Sequence, residues 1–277
     1  MTMAAVPATP ARIRAVPPAA KRPGLPDALR SELTKILSVR STYWTLLAQV
    51  VASIGWAVIN CAGIVSHGIG PGFNAAQASL TGQVALGELI IVVLGALVIT
   101  SEYSTGMIRT SLAVMPRRGV LYTAKAMVFA AVTLSISLVA SLVDFFVGQA
   151  ILSSKHYNTT LGAPGVLRAV LLSAAIVAVF GLLAYGAGAI IRHSAGAITS
   201  ILGVIFLIPA LAEALPNSWF ADVVRWLPGG QALMPIASSS PSVSNHLFSA
   251  WGEFAVFSGY AAVLLALGAW LFIRRDA

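Results

Sequence analysis

Six long apolar runs divide the chain, at about residues 43–66, 80–100, 120–152, 166–191, 194–212 and 251–273. A helix needs about 20 apolar residues to cross the hydrocarbon of a bilayer. Each run meets or approaches that length, and the third is long enough to tilt or to extend past the membrane. No stretch alternates apolar and polar positions between aromatic girdles, which argues against a barrel. The pattern predicts an all-α membrane protein with six transmembrane helices.

Two shorter segments carry their own periodicity. Before the first run, LPDALRSELTKILSVRSTYW places Leu25, Leu29, Leu33, Ile36 and Leu37 at helical spacing. Asp27 falls in its first turn, and Lys35 and Arg40 come late, as the helix dipole favours. Arg30, Glu32 and Lys35 form the polar face. The segment reads as an N-terminal amphipathic interfacial helix on the inner leaflet, with membrane lipids as its contact. Between the second and third runs stands SEYSTGMIRTSLAVMPRR, residues 101–118. As one helix it places Glu102, Gly106 and Arg109 on one face, and Ile108, Leu112 and Met115 on another. Pro116 then stops it. This predicts a short amphipathic helix with its polar side turned outward from the bundle.

The connections 67–79 and 153–165 are marked by Gly, Asn and Pro. The stretch 213–250 is longer. Phe220, Val223, Val224 and Leu227 share a helical face there, beside Trp219 and Trp226, which predicts short outer-leaflet helices before the last span. Residues 1–24 are rich in Ala, Pro and Arg and hold no apolar run of secretory-signal length. They read as a disordered cytoplasmic tail, and 25–277 as one six-helix membrane domain.

Composition agrees. The chain is 58% hydrophobic and 9% charged, against roughly 25% charged in soluble domains. A net charge of +8 raises nucleic acid as a partner, but the distribution argues otherwise. With six spans, only Lys155, Arg168 and Arg225 of the seventeen Lys and Arg fall on one side, and fourteen fall on the other. That bias puts both termini in the cytoplasm. The abundance of Arg and Ala fits a bacterial cytoplasmic membrane.

No phosphate-binding loop, metal-ligand motif or nucleophile motif is present, so the chain carries no ATPase or other catalytic centre of its own that sequence can identify. Cys61 is single and reads as a small wall residue. Two carboxylates, Glu88 and Asp144, lie within the apolar runs. Such residues are costly in lipid and mark either a pathway or a hydrogen-bonded structural site.

SEYSTGMIRTSLAVMPRRGVLYTAKAMV resembles the loop between the second and third spans of ABC-2 type transporter permeases. The basic amphipathic helix before the first span is similar too, as is WFADVVRWLPGGQAL before the last. Together the likeness covers most of residues 25–275. It implies the membrane subunit of an ATP-driven exporter. Glu102, Tyr103, Gly106, Met107 and Arg109 match the coupling helix that inserts into a separate ATPase subunit. ATP and magnesium would then be held by that partner and no cofactor by this chain. A second permease subunit, identical or related, would complete the pathway. A different class, a proton-driven secondary transporter using Glu88 or Asp144, is the alternative. A membrane enzyme is disfavoured by the lack of a catalytic constellation.

The charge bias yields a direct test. In a Cys61→Ala background, a cysteine at Asn158 is expected to react with an impermeant thiol reagent added to intact cells, and one at Thr110 is not. Labelling at Thr110 from outside overturns the six-span arrangement.

Overall fold

The computed structural model describes residues 24–70, 72–214, 234–240 and 249–275. They are helical, with no strand among them. Six helices are long and apolar enough to cross a membrane, and the chain is a multi-pass membrane protein. The tail 1–23 and the aromatic face around Trp219 and Phe220 lie outside the described residues.

Helix α1 covers Leu25–Ser38. The Asp27 carboxylate accepts from the Gly24 N–H at 2.9 Å, and Pro26 occupies the first turn, where a missing N–H costs nothing. Val39 alone, in extended conformation, separates it from the first span, α2, Arg40–His67. The second span, α3, is Ala75–Ser104. It starts earlier than the apolar run, within a stretch read as a connection, because Asn74 caps it by accepting from the Gln77 N–H. A π-helical turn, Gln83–Gly87, interrupts it. Short helix α4, Met107–Val114, follows.

The third span, α5, is Arg118–Leu152. At 1.5 Å per residue its 35 residues reach roughly 52 Å, well beyond a hydrocarbon core of about 30 Å. The fourth, α6, is Val166–Ile191, and the fifth, α7, is Ser194–Leu211, with a second π-helical turn at Gly203–Leu207. A single short helix, α8 at Met234–Ala237, is described between the last two spans. The sixth span, α9, is Ala250–Arg274.

The core forms around α6, which packs against α3, α5, α7 and α9. Two thirds of its apolar stretch is buried, against about one sixth of that of α7 at the edge. Phe180 and Ile176 of α6 join Val92 of α3, Phe145 of α5 and Phe257 of α9 in the largest cluster. Lipid tails are as apolar as these side chains, so association rests on close packing and not on water exclusion. Small residues permit it. A Cβ on Gly95 would collide with the Gly181 carbonyl oxygen, and one on Gly186 with the Leu264 backbone. Gly181 and Gly188 of α6 likewise pack tightly against Ile91 and Ile99 of α3. Large apolar side chains such as Trp44, Ile59, Phe146 and Trp270 are exposed, as lipid-facing positions require.

At one end of the bundle, Arg168 donates to the Ser238 and Ser240 carbonyls, and Asn74 to the Ser239 hydroxyl, pinning 238–240 over the starts of α3 and α6. The opposite end gathers α1, α4 and the start of α5.

Gly95→Val is expected to destabilise the protein by about 1–3 kcal/mol, as overpacking of a close contact does. Gly55→Val, at a site with nothing within 4 Å of a new Cβ, is the control. Thermal melting in mild detergent checks the pair. Equal melting of both variants contradicts the α3–α6 contact.

Candidate functional site

The sequence between α3 and α4 does not stay helical. Thr105 closes the last turn of α3 by donating to the Ser101 carbonyl, and Gly106 follows at φ +70°. That left-handed geometry favours glycine, because a Cβ would be strained there. The chain turns, and α4 starts in a new direction. Ile108 and Met115 of this segment are buried and Leu112 is half-buried. Met107, Arg109, Thr110 and Val114 are exposed, Val114 at 75%. So the apolar stripe does face the bundle. The expected register of Glu102, Gly106 and Arg109 on one helical face does not exist, because the turn at Gly106 breaks it. Gly106 has nothing within 4 Å of a would-be Cβ, so its role is conformational.

Glu102 points the other way, into the bundle. Its carboxylate accepts from the Lys125 ammonium of α5 at 2.7 Å. Lys125 also donates to Glu32 of α1 at 2.6 Å. Lys35 lies 2.7 Å from the other Glu32 oxygen and 3.4 Å from Glu102, and donates to the Ser111 hydroxyl of α4 at 3.2 Å. Two acids and two bases thus form a neutral quartet that joins α1, α3, α4 and α5. The side chains of Lys125, Glu32 and Glu102 are at most 4% exposed. Burial pushes the Lys35 ammonium down from its ordinary value of 10.5, but the Glu32 and Glu102 carboxylates outweigh it and hold it above.

The quartet corrects the reading of α1. The spacing puts Glu32 and Lys35 with Arg30 on the polar face of an interfacial helix. Instead Ala28, Glu32 and Ile36 are buried, Lys35 turns its ammonium inward, and Leu29 is half-buried. Leu25, Leu33 and Leu37 are exposed. The inward face carries charge because α3 and α5 supply its counter-charges. Ala28, Met115 and Ala124 form an apolar cluster between α1, the end of α4 and α5. A groove of about 310 Å³ opens between α1 and α4, lined by Ser31, Lys35, Met107, Thr110 and Val114 among others. Tyr103 of α3 is half-buried away from the groove, edge-on to Phe272 with the Arg192 guanidinium 5.0 Å over its ring.

Glu88 and Asp144 are both fully buried, in keeping with their depth in the runs. One Glu88 carboxylate oxygen has no hydrogen-bond partner, whereas Asp144 lies among polar neighbours. A polar seam runs between α2, α3 and α5. Gln49 donates to Gln83 at 2.8 Å, and Gln83 donates to the Ser137 carbonyl at 2.7 Å. Ser53 faces Asp144 at 3.3 Å, and Gln149 donates to Ser79 at 2.8 Å. Cys61 is buried in an apolar cluster with Ala78 and Leu152, in keeping with a small wall residue, and its sulfur lies 3.9 Å from the Ser79 hydroxyl at the edge of this seam. Among the described residues, no group of three or more His, Cys, Asp or Glu is placed to hold a metal ion.

No protein-family model matches the chain, and no curated protein matches it.

In the sequence Lys125 stands among the charges at the end of the third run, which hides its role. The signal was present: a lysine several residues inside an apolar run demands a buried partner. Its partners lie 93 and 23 residues away, which no local pattern reveals.

Lys125→Met is expected to destabilise the protein by about 3–5 kcal/mol, because it leaves two buried carboxylates without their shared cation. Lys125→Met combined with Glu32→Gln and Glu102→Gln is expected to recover much of that loss. Thermal melting of wild type and the two variants decides it, and an unaltered single variant contradicts the quartet. Lys35 has a raised folded-state value, so its contribution is complete below 10.5 and fades only as the pH rises past it. The gap between wild type and Lys35→Met is therefore expected at neutral pH and shrinks in strong alkali.

Proposed function

We propose that this chain is the transmembrane permease subunit of an ATP-driven ABC exporter, coupled to a separate ATPase subunit. The observation that carries the reading is α4. It is a short helix directly after the second span, seated on the bundle by Ile108 and Met115, with Met107, Arg109, Thr110 and Val114 left outward. A solvated loop needs neither the buried stripe nor the exposed one. The resemblance of residues 101–128 to the coupling region of ABC-2 permeases supports the same assignment.

On this reading α4 inserts into a groove of the ATPase, which holds ATP and magnesium. ATP-driven closure of the ATPase pair displaces α4. Lys35 links α4 through Ser111 to Glu32 and Glu102, and Lys125 links both acids to α5. Motion of α4 therefore passes to α1, α3 and α5 together. A second permease subunit, of the same or a related sequence, completes the path that opens to alternate sides. The membrane is the bacterial cytoplasmic membrane, with α4 and both termini on the cytoplasmic side and the exposed leucines of α1 against the inner leaflet. The contacts within α4 revise which residues meet the ATPase. Met107 and Arg109 stay, Thr110 joins them, Gly106 shapes the corner, Tyr103 supports it, and Glu102 belongs to the relay behind it.

The polar seam around Asp144 favours a second reading, a secondary transporter driven by protons. The two readings differ in energy source. In proteoliposomes holding the permease and its ATPase, transport is expected to need ATP and to survive collapse of the pH gradient. Transport on a pH gradient alone, abolished by Glu88→Gln, establishes the secondary transporter.

Arg109→Glu is expected to leave the permease inserted and stable, because the side chain is exposed in the isolated subunit. Once a partner desolvates it, losing one side of a charged hydrogen-bonded pair costs about 2–5 kcal/mol. Substrate-stimulated ATPase activity is expected to fall more than tenfold, and a cysteine at Thr110 to crosslink to the ATPase. Full stimulation in Arg109→Glu with no crosslink at Thr110 overturns the coupling role of α4.

A further inference from the structure

The seam between α2, α3 and α5 holds more unsatisfied oxygen than a structural hydrogen-bond network explains. Asp144 is fully buried, and one carboxylate oxygen, Oδ2, has no hydrogen-bond partner. The other faces the Ser53 hydroxyl at 3.3 Å, but that hydroxyl also donates to the Val50 carbonyl at 3.1 Å. One proton serves two acceptors, so Asp144 receives little. No cationic side chain among the described residues pairs with it. The contrast with the quartet is direct: there every carboxylate has an ammonium within 3.4 Å.

The neighbours are oxygens as well. Ser141, one helical turn before Asp144 on α5, is fully buried with its hydroxyl unpartnered. One turn further back the Ser137 hydroxyl is the same, and on α2 so is the Gln49 side-chain oxygen. Native interiors leave few such groups, and each calls for an explanation such as an unseen ion or water. Opposite them, α3 begins its π-helical turn at Gln83. Such turns loosen the backbone ladder and recur at functional sites. Sodium sites between spans are built where the regular helix is interrupted.

We propose that the seam at Asp144 binds one sodium ion, with the Asp144 carboxylate as its charged ligand and the Ser53 and Ser141 hydroxyls beside it. A single carboxylate without a counter-charge calls for a monovalent cation, because a second positive charge would be unbalanced in lipid. Several unsatisfied oxygens call for an ion with several ligands, since a proton needs one. Hard cations take oxygen donors of this kind. Gln49 and Ser137 extend the polar track from the site along the seam. The site does not depend on the energy source of transport, and so stands apart from the permease reading.

The test uses the purified full chain in nanodiscs. Radioactive sodium is expected to bind one to one and to be displaced by unlabelled sodium but not by choline. Sodium is expected to raise the melting temperature above that in choline at equal ionic strength. Asp144→Asn removes the charge and keeps the shape, so it is expected to melt in choline no lower than wild type and to lose both sodium effects. Ser141→Ala keeps the charge and is expected to bind sodium more weakly. Equal melting in sodium and choline with no retained sodium overturns the proposal and leaves only water in the seam. Stabilisation that follows pH in choline, with no response to sodium, overturns it in favour of a proton. Undiminished sodium binding in Asp144→Asn overturns it by placing the ion elsewhere.

Discussion

An ammonium group buried among helices must be neutralised on the spot, and Lys125 is where this chain meets that demand. Desolvating a lone charge costs several kcal/mol even after relaxation. Lys125 offsets the cost by donating to two carboxylates, at 2.6 and 2.7 Å, from two other helices. Those carboxylates carry two negative charges, and Lys35 supplies the second positive one. Neutrality therefore requires all four side chains, and the four side chains require α1, α3 and α5 to meet. Helix α1 cannot be an independent surface helix: pulling it away would leave Lys125 with one acid and take Lys35 from Glu102. Helix α4 is drawn in through Ser111, with Ile108 and Met115 closing the apolar side.

Elsewhere the bundle solves the opposite problem. Around α6 there is little charge to satisfy, and cohesion comes from approach. Gly95 lies against Gly181, Gly186 against Leu264, and Gly268 close to the Gly186 carbonyl. The hydroxyl of Tyr185 donates to the Tyr122 carbonyl, and that of Tyr122 to the Leu265 carbonyl, each at 3.1 Å, so even the aromatic residues at this interface are satisfied. The α2/α3/α5 side differs. There side-chain amides, hydroxyls and one carboxylate replace the glycines, and several remain unsatisfied. Unsatisfied oxygens gather on this polar side, whereas within α6 the Ser173 hydroxyl is the buried oxygen left without a partner.

The spans were legible because hydrocarbon imposes length and apolarity. The fourth was legible to the residue, since Gly165 and Arg192, both in left-handed conformation, bound it sharply. The α4 stripe was legible because Ile108, Leu112 and Met115 keep helical spacing into Pro116. What failed was the direction of charge. A helical wheel turns Glu32, Lys35 and Glu102 toward water, since in a soluble protein acids and bases seek solvent. Here their partners were hidden by sequence distance, and the tertiary fold inverted the assignment. The Glu102–Arg109 register failed for a local reason: φ +70° at Gly106 resets the helix, and a glycine alone does not announce which conformation it adopts. The π-helical turns left no sequence signature that periodicity could expose.

Helix α3 links the two charged regions and has a different character at each end. From Ala75 to Gly82 it is fixed: Asn74 is tied to Ser239, a Cβ at Gly82 would strike the Ser53 carbonyl, and Ser79 packs against Gly148. From Glu88 to Ser104 it is a regular helix of 17 residues, about 25 Å long, ending at Glu102 in the quartet. Between the two lies the π-helical turn Gln83–Gly87, where the hydrogen-bond ladder is weakest and Gln83 reaches both Gln49 and the Ser137 carbonyl. A displacement applied at α4 enters α3 at Glu102. The regular segment transmits it, because bending an intact helix breaks several bonds at once. The turn, whose Gln83 side chain reaches the Ser137 carbonyl two helical turns from Asp144, would absorb it. On the proposed reading, then, the coupling end and the polar seam are two ends of one lever whose pivot is Gln83–Gly87, and occupancy of the seam and docking at α4 bear on the same hinge.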